Sequence, residues 1–222
     1  MTLLERFLDP SSVSLKICGI TRQSDAEQLI VLGVHALGLN FWPMSKRYLP
    51  PANAAWLHSL AGRILRVGVF VNAPAELPLQ LIRDGLLDLI QLHGDEAPTD
   101  AAHFHATHIP IIKAFGVKSR ADLAHATEYG AAAILLDAHA PGSYGGTGGV
   151  FDWNVAREFR AQHPQLPMIL AGGIVPDNAA LAARRVRPAA LDVASGAELS
   201  PGIKDFAKVQ ALLEAVNAES LQ

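Results

Sequence analysis

The single cysteine of the sequence, Cys18, ends the apolar run LKIC and stands directly before Gly19. Asp137 ends a second apolar run, AAAILLD at 131–137. A lone cysteine in such a position is usually a small core residue, and an aspartate after a strand often caps the next segment. If both runs open on one cavity, however, a thiol and a carboxylic acid could add one proton to a substrate and remove another. An opening for Asp137 is also favoured because a carboxylate is costly in apolar surroundings.

Two later segments, AGGI and SGAE, place glycines directly after apolar runs. The first contains Gly172 and Gly173, and the second contains Ser195 and Gly196. Without side chains in the way, backbone N–H groups can converge on an anion such as phosphate. Each glycine could instead only make a tight turn, but the presence of two such segments favours a phosphate site.

Two further candidates for substrate binding follow apolar runs. The loop FWPMSKRYLP at 41–50 contains Lys46 and Arg47, and His93 comes directly after LLDLIQL at 86–92. Arginine suits bidentate recognition of a planar carboxylate, although a solvated surface pair is the simpler interpretation of Lys46 and Arg47. His93 is a second candidate for proton transfer.

Two conspicuous stretches do not predict a cofactor or a metal. GSYGGTGGVFDW at 142–153 lacks the Lys and Ser/Thr of a phosphate-binding Walker sequence and does not read GxGxxG before a helix. It predicts either a cover that closes on substrate or a plain connector. HFHATHIP at 103–110 has three histidines whose spacing fits no metal set, so we expect them at the surface.

The composition excludes several classes of protein. The 222 residues are half hydrophobic and carry a formal net charge of −3, so neither nucleic acid nor an anionic membrane is an expected partner. No apolar run approaches the length of a membrane span, and MTLLERFLDPSS at the start is unlike a secretory signal. One cysteine cannot form an internal disulfide and fits a reducing compartment. These features predict a soluble, cytoplasmic protein.

The candidate residues are positioned by a regular series of short apolar runs. Runs that are apolar on both faces are typical of parallel strands covered by helices. Eight such runs predict strands: 15–18, 36–41, 64–71, 86–92, 110–115, 131–137, 167–173 and 189–196. Segments with helical spacing alternate with them, with suggested starts at Ser24, Ser119, Asp152 and Pro176 and a last helix at about 205–217.

Eight strands alternating with eight helical segments predict a (β/α)8 barrel, the TIM-barrel fold. A doubly wound open sheet is the alternative, but such sheets more often stop at five or six strands. No linker interrupts the pattern, so we predict one barrel domain at 15–222, preceded by an amino-terminal extension at 1–14. In such barrels the active site lies at the carboxyl ends of the strands, which would bring Cys18 and Asp137, from strands one and six, across the same mouth.

Several motifs in order along the chain resemble the phosphoribosylanthranilate isomerase family. They are KICGIT, GLNFWPMSKRY, VGVFVN, LIQLHGDE, LLDA, GGTGGVFDW, LAGGIVPDN and LDVASGAELSPGIKD. Together they run from residue 16 to residue 205. Two departures are visible, because the family usually has SPR where this chain has Ser45-Lys46-Arg47, and SGVE where it has SGAE at 195–198.

The resemblance implies an isomerase of tryptophan biosynthesis that carries out an Amadori rearrangement without a cofactor or a metal. Asp137 matches the general acid that opens the sugar ring, Cys18 matches the general base that removes the C2 proton, and Arg47 matches the residue that binds the anthranilate carboxylate. Gly172, Gly173, Ser195, Gly196 and His93 are the remaining expected contacts to the phosphosugar substrate. Association with other tryptophan-pathway enzymes stays open.

Two rivals remain at this point. One is another phosphosugar barrel: the histidine-pathway isomerase would use a pair of aspartates where strand one here ends in Cys18, and indoleglycerol phosphate synthase would need a lysine acid and an additional amino-terminal helix. The other is a catalytically silent barrel that serves as a phosphate-ligand sensor or as a partner subunit. A turnover assay discriminates between them.

Overall fold

The computed structural model describes residues 1–138 and 152–220. In these residues eight parallel strands close into a barrel, in which each strand pairs with its neighbours along the chain and β1 pairs with β8. The (β/α)8 barrel predicted from the apolar runs is thereby confirmed. The strands are β1 (Ser14–Cys18), β2 (Ala36–Asn40), β3 (Leu65–Phe70), β4 (Leu89–Leu92), β5 (Ile111–Val117), β6 (Ala133–Ala138), β7 (Met168–Leu170) and β8 (Ala190–Val193).

The alternation of side chains along β1 decides which residues reach the site. Leu15 and Ile17 belong to the core between the strands and the outer helices. Lys16 and Cys18, two residues apart, therefore share the opposite face, which points into the barrel. A short antiparallel hairpin of β9 (Glu198–Ser200) and β10 (Ile203–Lys204), which the apolar runs did not predict, follows β8.

One helix precedes the first strand, one follows the last, and the others connect successive strands; most begin close to the predicted residues. They are α1 (Leu3–Phe7), α2 (Gln23–Leu32), α3 (Glu76–Arg83), α4 (Pro98–His105), α5 (Trp153–Gln162), α6 (Pro176–Val186) and α7 (Phe206–Ser220). Asp152 caps α5 by accepting a hydrogen bond from the amide of Asn154 at 2.9 Å. The expected start at Ser24 is wrong, because Arg22 holds the N-cap position of α2. None of the helices in the two described ranges is long and apolar enough to cross a membrane.

Two of the predicted helical segments are 3₁₀-helices rather than α-helices. After β2 the chain forms Pro51–Asn53 and Ala55–Leu60, and after β5 it forms Arg120–Leu123 and Ala126–Tyr129. Their buried residues recur every third position, which matches the three residues per turn of a 3₁₀-helix. The two sets are Ala54, Leu57 and Leu60, and Leu123, Ala126 and Tyr129.

The amino-terminal extension closes the end of the barrel opposite the carboxyl ends of the strands. A capping box between Thr2 and Glu5 starts α1, and Phe7 at its end is fully buried. Phe7 packs in one cluster with Leu65 and Leu89, the first residues of β3 and β4. The extension therefore supplies an aromatic plug to the barrel interior.

Replacing this plug should destabilise the barrel. Phe7→Ala is expected to lower the free energy of unfolding by about 3–5 kcal/mol, because it leaves a cavity among apolar strand residues. Urea unfolding followed by circular dichroism measures the change. Val31→Ala, at a position 77% exposed on α2, is the matched control, and equal unfolding free energies for the two variants would contradict a packing role for Phe7.

Candidate active site

One pocket at the carboxyl ends of the strands is lined by eight of the site residues singled out from the sequence, but not by Lys46. Cys18 comes from the end of β1 and Asp137 from β6, so the two candidate reacting groups line the same space. Asn72, which also follows a strand, is not among the lining residues; its side chain accepts a hydrogen bond from the amide of Asp95 at 2.7 Å. The predicted residues in the lining are Cys18, Arg47, His93, Asp137, Gly172, Gly173, Ser195 and Gly196.

Gly19 directly after the cysteine makes room for Arg47. Its φ of +80° lies in the left-handed region that favours glycine. A Cβ on Gly19 would overlap Cδ of the Arg47 side chain. The Cys-Gly sequence thus lets the arginine of the β2 loop pass beside the end of β1.

Glu198 fixes the orientation of Arg47. Nε of Arg47 donates to Oε1 at 2.8 Å, and Nη2 donates to Oε2 at 2.6 Å. Lys204 Nζ donates to the same carboxylate at 2.7 Å and to the carbonyl oxygen of Cys18 at 2.6 Å. These contacts hold the pKa of Glu198 below its usual range against the opposing effect of burial. The Nε–Nη2 edge of the guanidinium is thus bound to Glu198. In the part of the chain that the structure describes, Nη1 of Arg47 has no hydrogen-bond acceptor.

Asp137 is held by its own backbone and by a histidine. Its Oδ1 accepts a hydrogen bond from the amide of Ala138 at 2.8 Å, and its Oδ2 lies 3.5 Å from Nε2 of His93. Gln91 Nε2 lies 2.8 Å from His93 Nδ1. When that amide donates to Nδ1, the histidine carries its proton on Nε2 and directs it at the carboxylate.

The two glycine segments pack closely against their neighbours and line the pocket. A Cβ on Gly172 would lie 3.0 Å from Oδ1 of Asp137, and one on Gly196 would overlap the carbonyl oxygen of Ile174. Ser195 and Gly196 begin a single 3₁₀ turn, where amides have no partner within the turn. Within residues 1–138 and 152–220, no group accepts a hydrogen bond from the amides of Gly173, Ser195 or Gly196, which leaves them available to an anion.

The thiol of Cys18 is half-buried among charges. Burial raises the pKa of this thiol above its ordinary value, and this effect exceeds the opposing influence of Lys16. Lys16 in turn forms an ion pair with Asp192, whose carboxylate also lines the pocket. Four residues around the thiol were not predicted from the sequence: Lys16, Asp192, Glu198 and Lys204. Of these, Lys16 could have been predicted, because side-chain alternation along a strand places it on the same face as Cys18.

The three histidines of the stretch 103–110 do not line this pocket. The three histidines at 103, 105 and 108 are exposed, as expected. No group of three or more His, Cys, Asp or Glu side chains that could hold a metal ion occurs among the described residues. The glycine-rich stretch at 142–153 lies outside the described residues apart from Asp152 and Trp153, so its function as a cover stays a prediction.

Comparisons with known proteins agree on one family. The family model of N-(5'phosphoribosyl)anthranilate (PRA) isomerase matches residues 15–215. The N-(5'-phosphoribosyl)anthranilate isomerase of Syntrophus aciditrophicus is 44% identical over 203 residues, which are 91% of this chain and 86% of that protein. The enzyme of Myxococcus xanthus is 42% identical over 217 residues, which are 95% and 99% of the two chains.

Solved structures support the same assignment. The crystal structure of phosphoribosyl anthranilate isomerase from Thermotoga maritima aligns with a TM-score of 0.84 and 36% identity, over 93% of this chain and 99% of that one. A second crystal structure of the isomerase, in complex with reduced 1-(o-carboxyphenylamino)-1-deoxyribulose 5-phosphate, aligns with a TM-score of 0.81 and 35% identity over the same shares. This chain therefore belongs to the N-(5'-phosphoribosyl)anthranilate isomerase family.

Proposed function

We propose that this chain catalyses the Amadori rearrangement of N-(5'-phosphoribosyl)anthranilate to 1-(2-carboxyphenylamino)-1-deoxyribulose 5-phosphate in tryptophan biosynthesis. The observation that carries the proposal is that Cys18, Asp137, Arg47 and the two glycine segments line one pocket. That arrangement offers an acid, a base, a cation and an anion cradle, and the substrate has a matching group for each.

Asp137 acts as the general acid. In its protonated form it gives a proton to the ring oxygen of the ribose while the nitrogen lone pair forms a double bond to C1, and the ring opens to a protonated imine. His93 positions this step, since its Nε2 lies 3.5 Å from Oδ2 of Asp137. The bond from Asp137 to the amide of Ala138 fixes the other carboxylate oxygen.

Cys18 acts as the general base. Its thiolate removes the proton from C2, and the electron pair of the C–H bond moves toward the protonated imine to give an enolamine. Tautomerisation of the enolamine then gives the ketone at C2. Because C1 is reduced while C2 is oxidised, the reaction is an aldose–ketose isomerisation, which is an intramolecular oxidoreduction. The imine itself is the electron sink, so the chemistry requires no metal or cofactor.

The ends of the substrate are assigned to opposite sides of the pocket. Nε and Nη2 of Arg47 contact Glu198, so the terminal Nη1–Nη2 edge is the one we assign to the anthranilate carboxylate. The amides of Gly173, Ser195 and Gly196 are assigned to the phosphate, in the region that barrels commonly use for this group. We further propose a cytoplasmic location, because a reducing compartment keeps a free thiol reduced. Association with other enzymes of the pathway stays a prediction.

Loss of either reacting group should abolish most turnover. Cys18→Ala and Asp137→Asn are each expected to lower kcat by ~10²–10⁴-fold, because a positioned acid or base contributes about that much. Cys18→Ser should be nearly as impaired, since a serine hydroxyl ionises far less readily than a thiol. The fluorescence decay of phosphoribosylanthranilate measures turnover, and binding of the reduced product analogue serves as the folding control. A silent barrel would show no turnover in the unchanged protein, and near-normal turnover of the alanine variant would assign Cys18 to the core.

Free sulfate or phosphate should compete with the substrate for the glycine segments. Gly173→Val is expected to raise the inhibition constant of sulfate, because a side chain there obstructs the converging amides. Gly196→Val is a poorer test, since its side chain would first displace the backbone at Ile174. Gly33→Val is the matched control because Gly33 also has a positive φ, +89°, with nothing within 4 Å of its Cβ position. Equal sulfate inhibition of both variants would move the phosphate elsewhere.

Arg47 should discriminate substrates by their carboxylate. Arg47→Ala is expected to raise KM through loss of a charge-assisted contact worth roughly 1.5–3 kcal/mol, and to penalise the anthranilate substrate more than an aniline analogue without the carboxylate. The measurement is kcat/KM for both substrates with both proteins. Lys46→Ala, at an exposed position of the same loop, is the control. An equal penalty on the two substrates would show that Arg47 does not bind the carboxylate and would make Lys46 the candidate.

A further inference from the structure

A buried ion pair lies inside the barrel, and the proposed chemistry does not use it. Lys16 Nζ lies 2.9 Å from Oδ1 of Asp192, and the side chains are 0% and 7% exposed. The two residues are direct register partners of β1 and β8. Removing two charges from water is costly, and Ala190, two residues before Asp192 on the same face of β8, belongs to an apolar cluster. Such a pair is therefore a costly way to fill space.

The ammonium group of this pair lies beside the thiol. Gly38 of β2 is the register partner of Cys18. The point that a Cβ on Gly38 would occupy lies 2.6 Å from Cys18 Sγ and 2.9 Å from Lys16 Nζ. These two distances limit the separation of sulfur and nitrogen to at most about 5.5 Å. At that range, in a dry interior, a positive charge favours the thiolate substantially.

We propose that Lys16 is a positioning residue that stabilises the thiolate form of Cys18, with Asp192 keeping the ammonium group charged and in place. The inference rests on the proposed function only in so far as the thiolate is the catalytic base. Burial alone would lower the pKa of Lys16, but the attraction of Asp192 and of the thiol more than offsets it and holds that pKa above its ordinary value. The lysine thus remains protonated beneath the site.

Other charges around the thiol do not replace Lys16. Burial raises the pKa of Cys18 most strongly; Lys16 then lowers it, Asp192 raises it, and Lys204 and Arg47 lower it. Lys204 and Arg47 both bind the carboxylate of Glu198, which offsets part of their charge. Asp137 and His93 line the pocket together with the thiol. Lys16 is therefore the cation that most strongly lowers the pKa of Cys18 against the effect of burial.

The sign of the expected effect follows from this arrangement. Removing the Lys16 charge should raise the pKa of Cys18 further, so a smaller fraction of the enzyme carries the thiolate at neutral pH. The acidic limb of the kcat/KM profile should then shift to higher pH. Above the new pKa, kcat/KM should return toward that of the unchanged protein, whereas general structural damage would lower it at every pH.

The experiment measures the thiol directly. Because Cys18 is the only cysteine, the pH dependence of iodoacetamide alkylation reports its ionisation without any substrate. Lys16→Met and Lys16→Gln are both made, since Met leaves the Asp192 carboxylate unpaired while Gln keeps a donor for it. Each should shift the midpoint of alkylation upward by at least about one pH unit, which is roughly a tenfold slower reaction at pH 7.

The matched control is another buried lysine. Lys113 lies 2.7 Å from Glu96, and its side chain is 3% exposed, but it is not among the charges that act on Cys18. Lys113→Met should therefore cost stability, measured by thermal melting, and leave the alkylation midpoint unchanged. Unshifted midpoints in folded Lys16 variants would overturn this proposal and leave the proposed isomerase untouched. If the Lys16 variants shift the midpoint but the unchanged protein does not turn over phosphoribosylanthranilate, this proposal stands and the proposed function is overturned.

Discussion

The hydrogen bonds between β1 and β8 are the constraint on which the site depends. They pair Lys16 with Asp192 and Ile17 with Val193, so residues 176 positions apart in the chain become neighbours. In an open sheet these strands would lie at different positions, and Cys18 would not share a space with the loop after β8. The register matters as much as the closure, because a slip of one residue would turn the face that carries Lys16 and Cys18 toward the helices.

The charges of the site are held in place by other charges. Glu198 alone joins three separate segments: the β2 loop through Arg47, the hairpin through Lys204, and, by way of that lysine, the carbonyl at the end of β1. Burying such groups is costly, and replacing buried ion pairs by apolar residues of similar volume is often neutral for stability. What they provide is orientation, since groups fixed before the substrate arrives need no reorganisation when charge develops in the transition state.

The barrel and its pocket were predictable because they follow from periodicity and closure. Eight runs apolar on both faces admit few arrangements, and strand ends then identify Cys18 and Asp137 without any knowledge of side-chain contacts. The partners of those residues were not predictable in the same way. The register that pairs Lys16 with Asp192 depends on closure in three dimensions, and the hairpin that carries Lys204 has no apolar run. The 3₁₀ segments did have a signal in the sequence, because apolar residues such as Leu57 and Leu60 recur every third position. That spacing is easily mistaken for the spacing of an α-helix.

Glycine contributes to this site in two ways. It permits a turn with positive φ, and its missing Cβ leaves room for a neighbouring side chain. Gly19 has a positive φ, but its more specific consequence is that the side chain of Arg47 occupies the space of the missing Cβ. At Gly38 the missing Cβ leaves the thiol and the ammonium group of β1 near each other, and at Gly172 it leaves room for the carboxylate of Asp137. These side chains can lie this close because Gly19, Gly38 and Gly172 contribute backbone only. The Cys-Gly sequence therefore serves the site twice: the cysteine places a thiol in the pocket, and the glycine leaves room for the cationic side chain of Arg47.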